Sequence, residues 1–149
     1  MTTEVLVTGT FNIVHAGHVR LLEFASRYGK VTVGINADAY LRNKYGDDVV
    51  PLIDRSYVLE SNKYVNNVVV FREDEPSALI YKLKPKYIVK GPDYIGKDLP
   101  EQVAIDAVGA HLILQPIKKE YNSSDLVASL SKDIAKAHSS AFKKLSKFG

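Results

Sequence analysis

Two histidines carry the most specific chemical signal in this sequence. His15 and His18 are three residues apart, a spacing that places two side chains on the same side of one helical turn. Gly17 lies between them, and its missing side chain leaves room for a ligand to lie against the backbone. Imidazoles beside a phosphate can donate hydrogen bonds to oxygens that gain charge during phosphoryl transfer. We therefore predict that His15 and His18 are catalytic.

The segments on either side of the histidines predict a strand-to-helix turn. Residues 5–7 are an apolar run typical of a buried strand, and Val19, Leu22 and Ala25 are spaced like one face of a helix. Gly9 allows a sharp bend without a side chain in the way. The first N–H groups of a helix are unpaired and carry partial positive charge, so they attract phosphate. The turn therefore predicts an anion-binding site.

Strand-like and helix-like segments alternate along the chain. The predicted strands cover residues 5–8, 30–36, 68–71, 87–90 and 111–114. The predicted helices cover residues 19–28, 54–64, 76–83, 100–108 and 124–148, with Asp54 as a candidate N-cap. This order predicts an α/β fold: a Rossmann-like three-layer α/β/α arrangement with a five-stranded parallel sheet and a long C-terminal helix. Residues 37–53 are expected to form a long polar loop, a length typical of functional or mobile segments.

Bulk properties predict a single domain over residues 1–149, with a basic tail at 138–149 that frays. The net charge is +3 and there is no cysteine, so a disulfide framework is excluded. No leader-like segment or membrane-length apolar run is present, and we expect a cytoplasmic protein without a membrane partner. The C-terminal lysines lack interleaved aromatic residues, so no nucleic-acid partner is expected.

Several familiar chemistries have no motif in this sequence. Neither the phosphate-binding loop G-x-x-x-x-G-K-[ST] nor the dinucleotide fingerprint G-x-G-x-x-G occurs. No serine or cysteine stands in a nucleophile motif, so a covalent intermediate is not indicated. His111 and His138 lie away from the predicted turn and are not candidate ligands.

Polar residues follow several of the predicted strands. Because the carboxyl ends of parallel strands share one edge of the sheet, these residues should face the same cleft as the histidines. Each alone would be an ordinary turn or cap, and for Lys90 a solvated strand end is as well supported as phosphate binding. The positions in question are Asn36 and Asp38 after the second strand, Lys90 and Asp93 after the fourth, and residues 120–125 after the fifth.

The turn resembles a known family at its specific positions. Gly9, Thr10, Phe11, His15, Gly17 and His18 match G-[TSV]-F-D-x-x-H-x-G-H, the signature of the cytidylyltransferase and adenylyltransferase superfamily. Asn12 stands where that family usually has Asp. Residues 88–94, Ile-Val-Lys-Gly-Pro-Asp-Tyr, are similar to a segment of the heptose-phosphate adenylyltransferase branch of the bifunctional ADP-heptose synthases. The glycerol-phosphate cytidylyltransferases share the general layout.

This resemblance implies roles for individual residues. It makes the two histidines the catalytic centre, and it places Lys44 in a basic segment that covers phosphates. Arg55 matches a family arginine that reaches a phosphate, although it could equally pair with a surface carboxylate. We assign substrate binding to Asn36, Asp38 and Arg55. We assign nucleotide binding to Gly9, Thr10, Phe11, Gly17, Lys90, Asp93, Asn122, Ser123 and Ser124.

The last motif departs from the family. Asn122, Ser123 and Ser124 stand where the family has Ser-Thr-Thr or Ser-Thr-Ser. The two serine hydroxyls either hold phosphate or simply cap the last helix.

The reaction implied by the resemblance joins a nucleoside triphosphate to a sugar phosphate and releases pyrophosphate. ATP and heptose 1-phosphate are favoured by residues 88–94. A first alternative is a cytidylyltransferase that uses CTP and glycerol 3-phosphate or another alcohol phosphate. A second is a non-catalytic nucleotide-binding module, which the changes at Asn12 and in the last motif favour and the intact histidine pair argues against. The resemblance also implies a homodimer and a Mg²⁺ ion held by phosphate oxygens and water, without metal-ligating residues of the protein.

Overall fold

The computed structural model describes residues 3–116, and within them the strands form one parallel sheet. The spatial order is β3-β2-β1-β4-β5. The first strand, β1, is therefore central, with β2 and β3 on one side of it and β4 and β5 on the other. The predicted five-stranded parallel sheet is confirmed. The strands are β1 Val5–Gly9, β2 Val31–Asn36, β3 Asn67–Phe71, β4 Tyr87–Lys90 and β5 His111–Leu114.

Both faces of the sheet are covered by helices. Val5 and Val7 point to one face and pack with Leu22 of the first helix, whereas Leu6 points to the other and packs with Ile80 and Ile105. This burial on both sides explains the apolar strands and confirms the Rossmann-like α/β fold. The helices are α1 Ala16–Ser26, α2 Asp38–Tyr45, α3 Leu52–Glu60, α4 Ser77–Leu83 and α5 Gln102–Val108, and a 3₁₀ turn covers Pro92–Tyr94.

Three local expectations were wrong. The segment 37–53 was expected to be one loop, but it contains α2, which buries Leu41 completely on its inner side. The first helix begins at Ala16, three residues earlier than expected, because His15 acts as its N-cap. Asp54 is not an N-cap, since α3 begins at Leu52 directly after Pro51.

Other predictions fall outside the described residues. These are the helix at 124–148, the tail at 138–149 and the last motif with Asn122, Ser123 and Ser124. Among residues 3–116 no helix has the length and apolar character needed to cross a membrane.

The sheet order places a crevice at the carboxyl end of β1. From β1 the chain runs outward through β2 and β3, and it returns to the other side of β1 to form β4 and β5. Open α/β sheets bind ligands at such a reversal point, outside the carboxyl ends of the strands. The turn from β1 to α1, which carries both histidines, lies at this point.

Candidate active site

The two histidines form a reciprocal cap at the start of α1. His15 is the N-cap residue with extended backbone (φ −129°, ψ 178°), and its Nδ1 accepts the N–H of Gly17 at 3.1 Å. In return, Nδ1 of His18 accepts the N–H of His15 at 3.2 Å. The rings are stacked with centroids 3.9 Å apart. The three-residue spacing therefore works as a capping box in which imidazoles replace the usual hydroxyl and carboxylate.

These hydrogen bonds fix the protonation state of both rings. A nitrogen that accepts an N–H carries no proton, so the proton of each neutral imidazole is on Nε2. Burial lowers the pKa of His15. Burial and the nearby His15 lower the pKa of His18 to about 4, against an opposing hydrogen bond with the Ile13 backbone. Both rings are therefore neutral at pH 7, with an N–H on Nε2 as the donor group.

Phe11 and Gly9 shape the turn before the histidines. Phe11 is buried with φ +47°, a conformation unusual for a side chain this large, and its ring centroid lies 5.0 Å from that of His18. A Cβ atom on Gly9 would come within 3.0 Å of the Phe11 ring. A side chain at position 9 would therefore force the Phe11 ring to move by a few tenths of an ångström. Strained residues of this kind concentrate at functional sites.

On the β2 side of the turn, the guanidinium of Arg55 is enclosed by acceptors. Its side chain is fully buried. Nε donates to the carbonyl of Val50 at 2.8 Å, and Nη1 donates to the carbonyls of Thr10 at 3.1 Å and Asn36 at 2.9 Å. Nη2 donates to Asp38 Oδ1 at 2.7 Å. In this structure Arg55 therefore ties together β1, β2 and the segment before α3, and its carboxylate partner is Asp38.

Asp38 joins the same network from the start of α2. Its second oxygen, Oδ2, accepts the N–H of Leu52 at 3.2 Å. Burial acts to raise the pKa of Asp38, but the hydrogen bonds from Arg55 and Leu52 and the charge of Arg55 outweigh it and lower the pKa. The predicted substrate residues Asn36, Asp38 and Arg55 thus lie together at the end of β2, where they contact one another.

On the β4 side, Lys90 is buried, which excludes the solvated strand end considered from the sequence. Its Nζ donates to Thr8 Oγ1 at 3.2 Å, lies 3.6 Å from Glu101 Oε2, and is 4.9 Å from the ring centroid of Tyr94. Burial lowers the pKa of Lys90, while the charges of Glu101 and Glu75 act to raise it. Lys90 is held at the floor of the cleft by neighbours from three elements.

Glu101 and Thr8 are functional candidates that the sequence did not reveal. Glu101 is 3% exposed, and its Oε1 has no hydrogen-bond partner among the residues that the structure describes. A buried carboxylate oxygen in this condition is unusual and calls for a ligand or a water. In the sequence, Glu101 has only the pattern of an exposed helix start after Pro100, so no local signal could have found it.

Lys44 and Asp93 lie in different elements, but both influence the pKa of Tyr94. Lys44 is exposed in the last turn of α2, and Asp93 is exposed in the 3₁₀ turn after β4. Burial, Glu101 and Asp93 raise the pKa of Tyr94, and the charge of Lys44 acts to lower it. The structure therefore brings the end of α2 near the end of β4, around the cleft where the histidines lie.

Taken together, the fold and the turn define a Rossmann-like α/β domain with two stacked imidazoles at its strand-order reversal. The family model described as cytidylyltransferase-like matches residues 6–142. The chain belongs to the cytidylyltransferase-like family.

Individual relatives extend this finding. The chain is similar to the bifunctional protein HldE of Streptomyces coelicolor, with 41% identity over 129 residues, and to that of Nitratiruptor sp., with 45% identity over 98 residues. These matches cover 85% and 64% of the chain, which spans 28% and 21% of the two relatives.

Solved structures support the fold. The lipopolysaccharide core biosynthesis protein of Thermoplasma volcanium aligns with a TM-score of 0.63 at 24% identity, over 82% of this chain and 100% of that protein. A pantothenate synthetase of Thermus thermophilus aligns with a TM-score of 0.54 at 15% identity, over 80% of this chain and 58% of that protein. At these identities the likeness concerns the fold.

Proposed function

We propose that this protein is a nucleotidyltransferase that transfers a nucleotidyl group from a nucleoside triphosphate to a sugar phosphate. A phosphate oxygen of the acceptor forms a bond to the α-phosphorus, the bond from that phosphorus to the bridging oxygen breaks, and pyrophosphate leaves. Such reactions depend on positioning and charge stabilisation rather than on covalent participation of the protein. The observation that carries the proposal is the neutral histidine pair, fixed with Nε2–H donors at the start of α1.

The described residues suggest a division of roles in this reaction. His15 and His18 would donate to oxygens of the α-phosphate and of the leaving group as negative charge develops there. The N–H groups at the start of α1 would receive phosphate, and Thr10 and Phe11 would line the nucleotide. Lys44, exposed near the cleft, would neutralise phosphate charge. Lys90 and Asp93 at the end of β4 would contact the nucleotide.

We favour ATP and heptose 1-phosphate as substrates. The similarity of residues 88–94 to the heptose-phosphate adenylyltransferase branch supports this choice, as do the relatives named HldE. CTP with glycerol 3-phosphate is the second candidate, and the description of the family model supports it. Since the chain spans under a third of its HldE relatives, the proposal concerns this domain's reaction only.

We further propose that Mg²⁺ enters with the nucleotide. Within residues 3–116 no cluster of three or more His, Cys, Asp or Glu side chains could hold a metal ion. Phosphate oxygens and water suit Mg²⁺, which keeps several waters when it binds. The ion would neutralise charge on the triphosphate. The cytoplasmic location expected from the sequence belongs to this proposal as well.

The proposed homodimer has a candidate face on α3. Ile53 and Tyr57 are one turn apart on this helix and are 78% and 72% exposed. Val58 and, on the edge strand β3, Val70 are also exposed. Contiguous exposed apolar side chains are typical of interfaces. Light scattering of the wild type and of a Tyr57→Glu variant tests this: a dimer that becomes a monomer in the variant supports it, and a monomeric wild type contradicts it.

The activity is tested by pyrophosphate release. ATP and CTP are crossed with heptose 1-phosphate, glycerol 3-phosphate and other sugar phosphates in the presence of Mg²⁺. We expect release with one pair, and a loss of about 10²–10³ in turnover for His15→Ala or His18→Ala, the effect typical of one lost transition-state donor. His111→Ala is the matched control, because His111 is exposed at the start of β5, at the opposite end of the sheet. Wild-type turnover in either His15→Ala or His18→Ala would refute the assignment.

A further inference from the structure

We propose that Asn12 is a positioning residue that fastens residues 46–51, the connection between α2 and α3, to the histidine turn. Its carboxamide donates one hydrogen bond to that connection and accepts one from it. Nδ2 donates to the carbonyl of Asp48 at 3.3 Å, and Oδ1 accepts the N–H of Val50 at 2.8 Å. The effect on turnover predicted below rests on the proposed function, while the fastening itself does not.

Val50 is held on both sides of its backbone. Asn12 binds its N–H, and Arg55 Nε binds its carbonyl at 2.8 Å. Arg55 also binds the carbonyl of Thr10, which lies two residues before Asn12 in the same turn. Two side chains from different elements therefore fix one short stretch of backbone against the turn that carries the histidines.

This attachment acts on the position of Lys44 from the carboxyl end of α2, whereas the buried Leu41 and the Asp38–Arg55 pair hold the rest of that helix. Lys44 lies in the last turn of α2, and the connection held by Asn12 begins two residues later at Gly46. Gly46 has φ +67° and caps α2 through its N–H, which donates to the carbonyl of Arg42 at 2.9 Å. With Asp48 and Val50 bound to Asn12, the end of α2 has less freedom to move away from the histidine turn. A displacement of about 1 Å at a catalytic group can cost 10²-fold in rate, so this attachment matters for phosphoryl transfer.

The arrangement requires asparagine. A carboxamide both donates and accepts, whereas an ionised carboxylate only accepts. An aspartate at position 12 would keep the Val50 bond but would place a negative charge next to the Asp48 carbonyl, where Nδ2 is now a donor 3.3 Å away. Asn12, which stands where the family signature has Asp, therefore fits the donor and the acceptor that residues 46–51 present in this chain. Restoring the family residue should impair this protein.

The test compares Asn12→Ala and Asn12→Asp with the wild type. In Asn12→Ala, amide exchange of Val50, followed by NMR, should be about tenfold faster because the N–H loses its acceptor. In both variants we expect kcat of pyrophosphate release to fall about tenfold, with KM for the nucleotide changed less than about threefold, since positioning and not binding is lost. The matched control is Asn66→Asp, an exposed asparagine at the amino end of β3, which should match the wild type.

Two results would overturn the proposal. Turnover of Asn12→Asp at or above the wild-type value would show that a carboxylate serves as well, and unchanged Val50 exchange in Asn12→Ala would show that no fastening exists. If the wild type itself releases no pyrophosphate with any substrate pair, the proposed function fails, and the exchange rate of Val50 still decides whether Asn12 holds the connection.

Discussion

A buried cation lies on each side of the histidine turn, Arg55 toward β2 and Lys90 toward β4, and the two have different hydrogen-bond partners. Toward β2, Arg55 directs its donors to three backbone carbonyls and to Asp38. Toward β4, Lys90 has Thr8 and one oxygen of Glu101, whose other oxygen has no hydrogen bond within the described part of the chain. A guanidinium is a planar fork that fits several acceptors at once, whereas an ammonium is a compact point charge.

This difference gives the two sides different roles: the β2 side stabilises the turn, and the β4 side can still accept a hydrogen bond. On the β2 side, Arg55 joins three backbone carbonyls and one carboxylate through four hydrogen bonds, so it serves to hold the turn. The β4 side keeps a buried acceptor at the end of β4, in the crevice where a ligand is expected. Burial alone does not distinguish the two cations, since both are under a tenth exposed, but their partners do.

The largest expected effect is on the β2 side. Arg55→Ala should lower the free energy of unfolding by about 4 kcal/mol, because it leaves the Asp38 carboxylate and three carbonyls without their donor. Arg55→Lys should recover less than half of this, since lysine cannot reach the same acceptors in the same plane. Urea denaturation measures both.

A matched control for these variants is Arg72→Ala, at an exposed arginine just after β3, which should stay within about 0.5 kcal/mol of the wild type. If Arg55→Lys unfolds like the wild type, the fork geometry is irrelevant and the comparison between the two sides fails.

The second prediction concerns the ion pair on the β4 side. Glu101→Leu should cost about 3 kcal/mol of unfolding free energy, because it leaves the Lys90 charge buried without its partner. Adding Lys90→Met should restore most of that loss, since an apolar pair of similar volume often replaces a buried ion pair without penalty. Thermal and urea unfolding of the two single variants and the double variant complete the cycle. A double variant no more stable than Glu101→Leu would show that the pair is part of the framework too.

The smallest effect concerns the turn between the two sides and depends on pH. His18 has a pKa of about 4 in the folded protein, below its ordinary value of 6.5, so the unfolded chain binds a proton more readily. Stability from this group is complete above pH 6.5 and is lost as the pH falls toward 4. Between pH 7 and pH 5 the wild type should lose about 2 kcal/mol more than a His18→Gln variant. Parallel curves for the two proteins would contradict the lowered pKa.

Sequence-based prediction succeeded for the strands β4 and β5 but failed for helix α2. Strands β4 and β5 were predicted with their observed bounds, because apolar runs between turn residues are a strong local signal. Helix α2 was missed because Leu41 is the only buried residue within Asp38–Lys44, so no apolar face appears in the sequence. Arg55 was predicted to reach a phosphate or to pair with a surface carboxylate, and in the structure its carboxylate partner is Asp38.

The sequence by itself determined the strands, the order of β and α elements and the paired histidines, since each depends on spacing between near neighbours. The tertiary structure alone decided which groups meet. Arg55 binds the carbonyl of Thr10, 45 residues away, and Lys90 binds Thr8, 82 residues away. Such contacts exist because the order β3-β2-β1-β4-β5 brings the ends of β2 and β4 to either side of β1. Burial there converts residues that look solvated in the sequence into fixed partners, and no local pattern encodes that outcome.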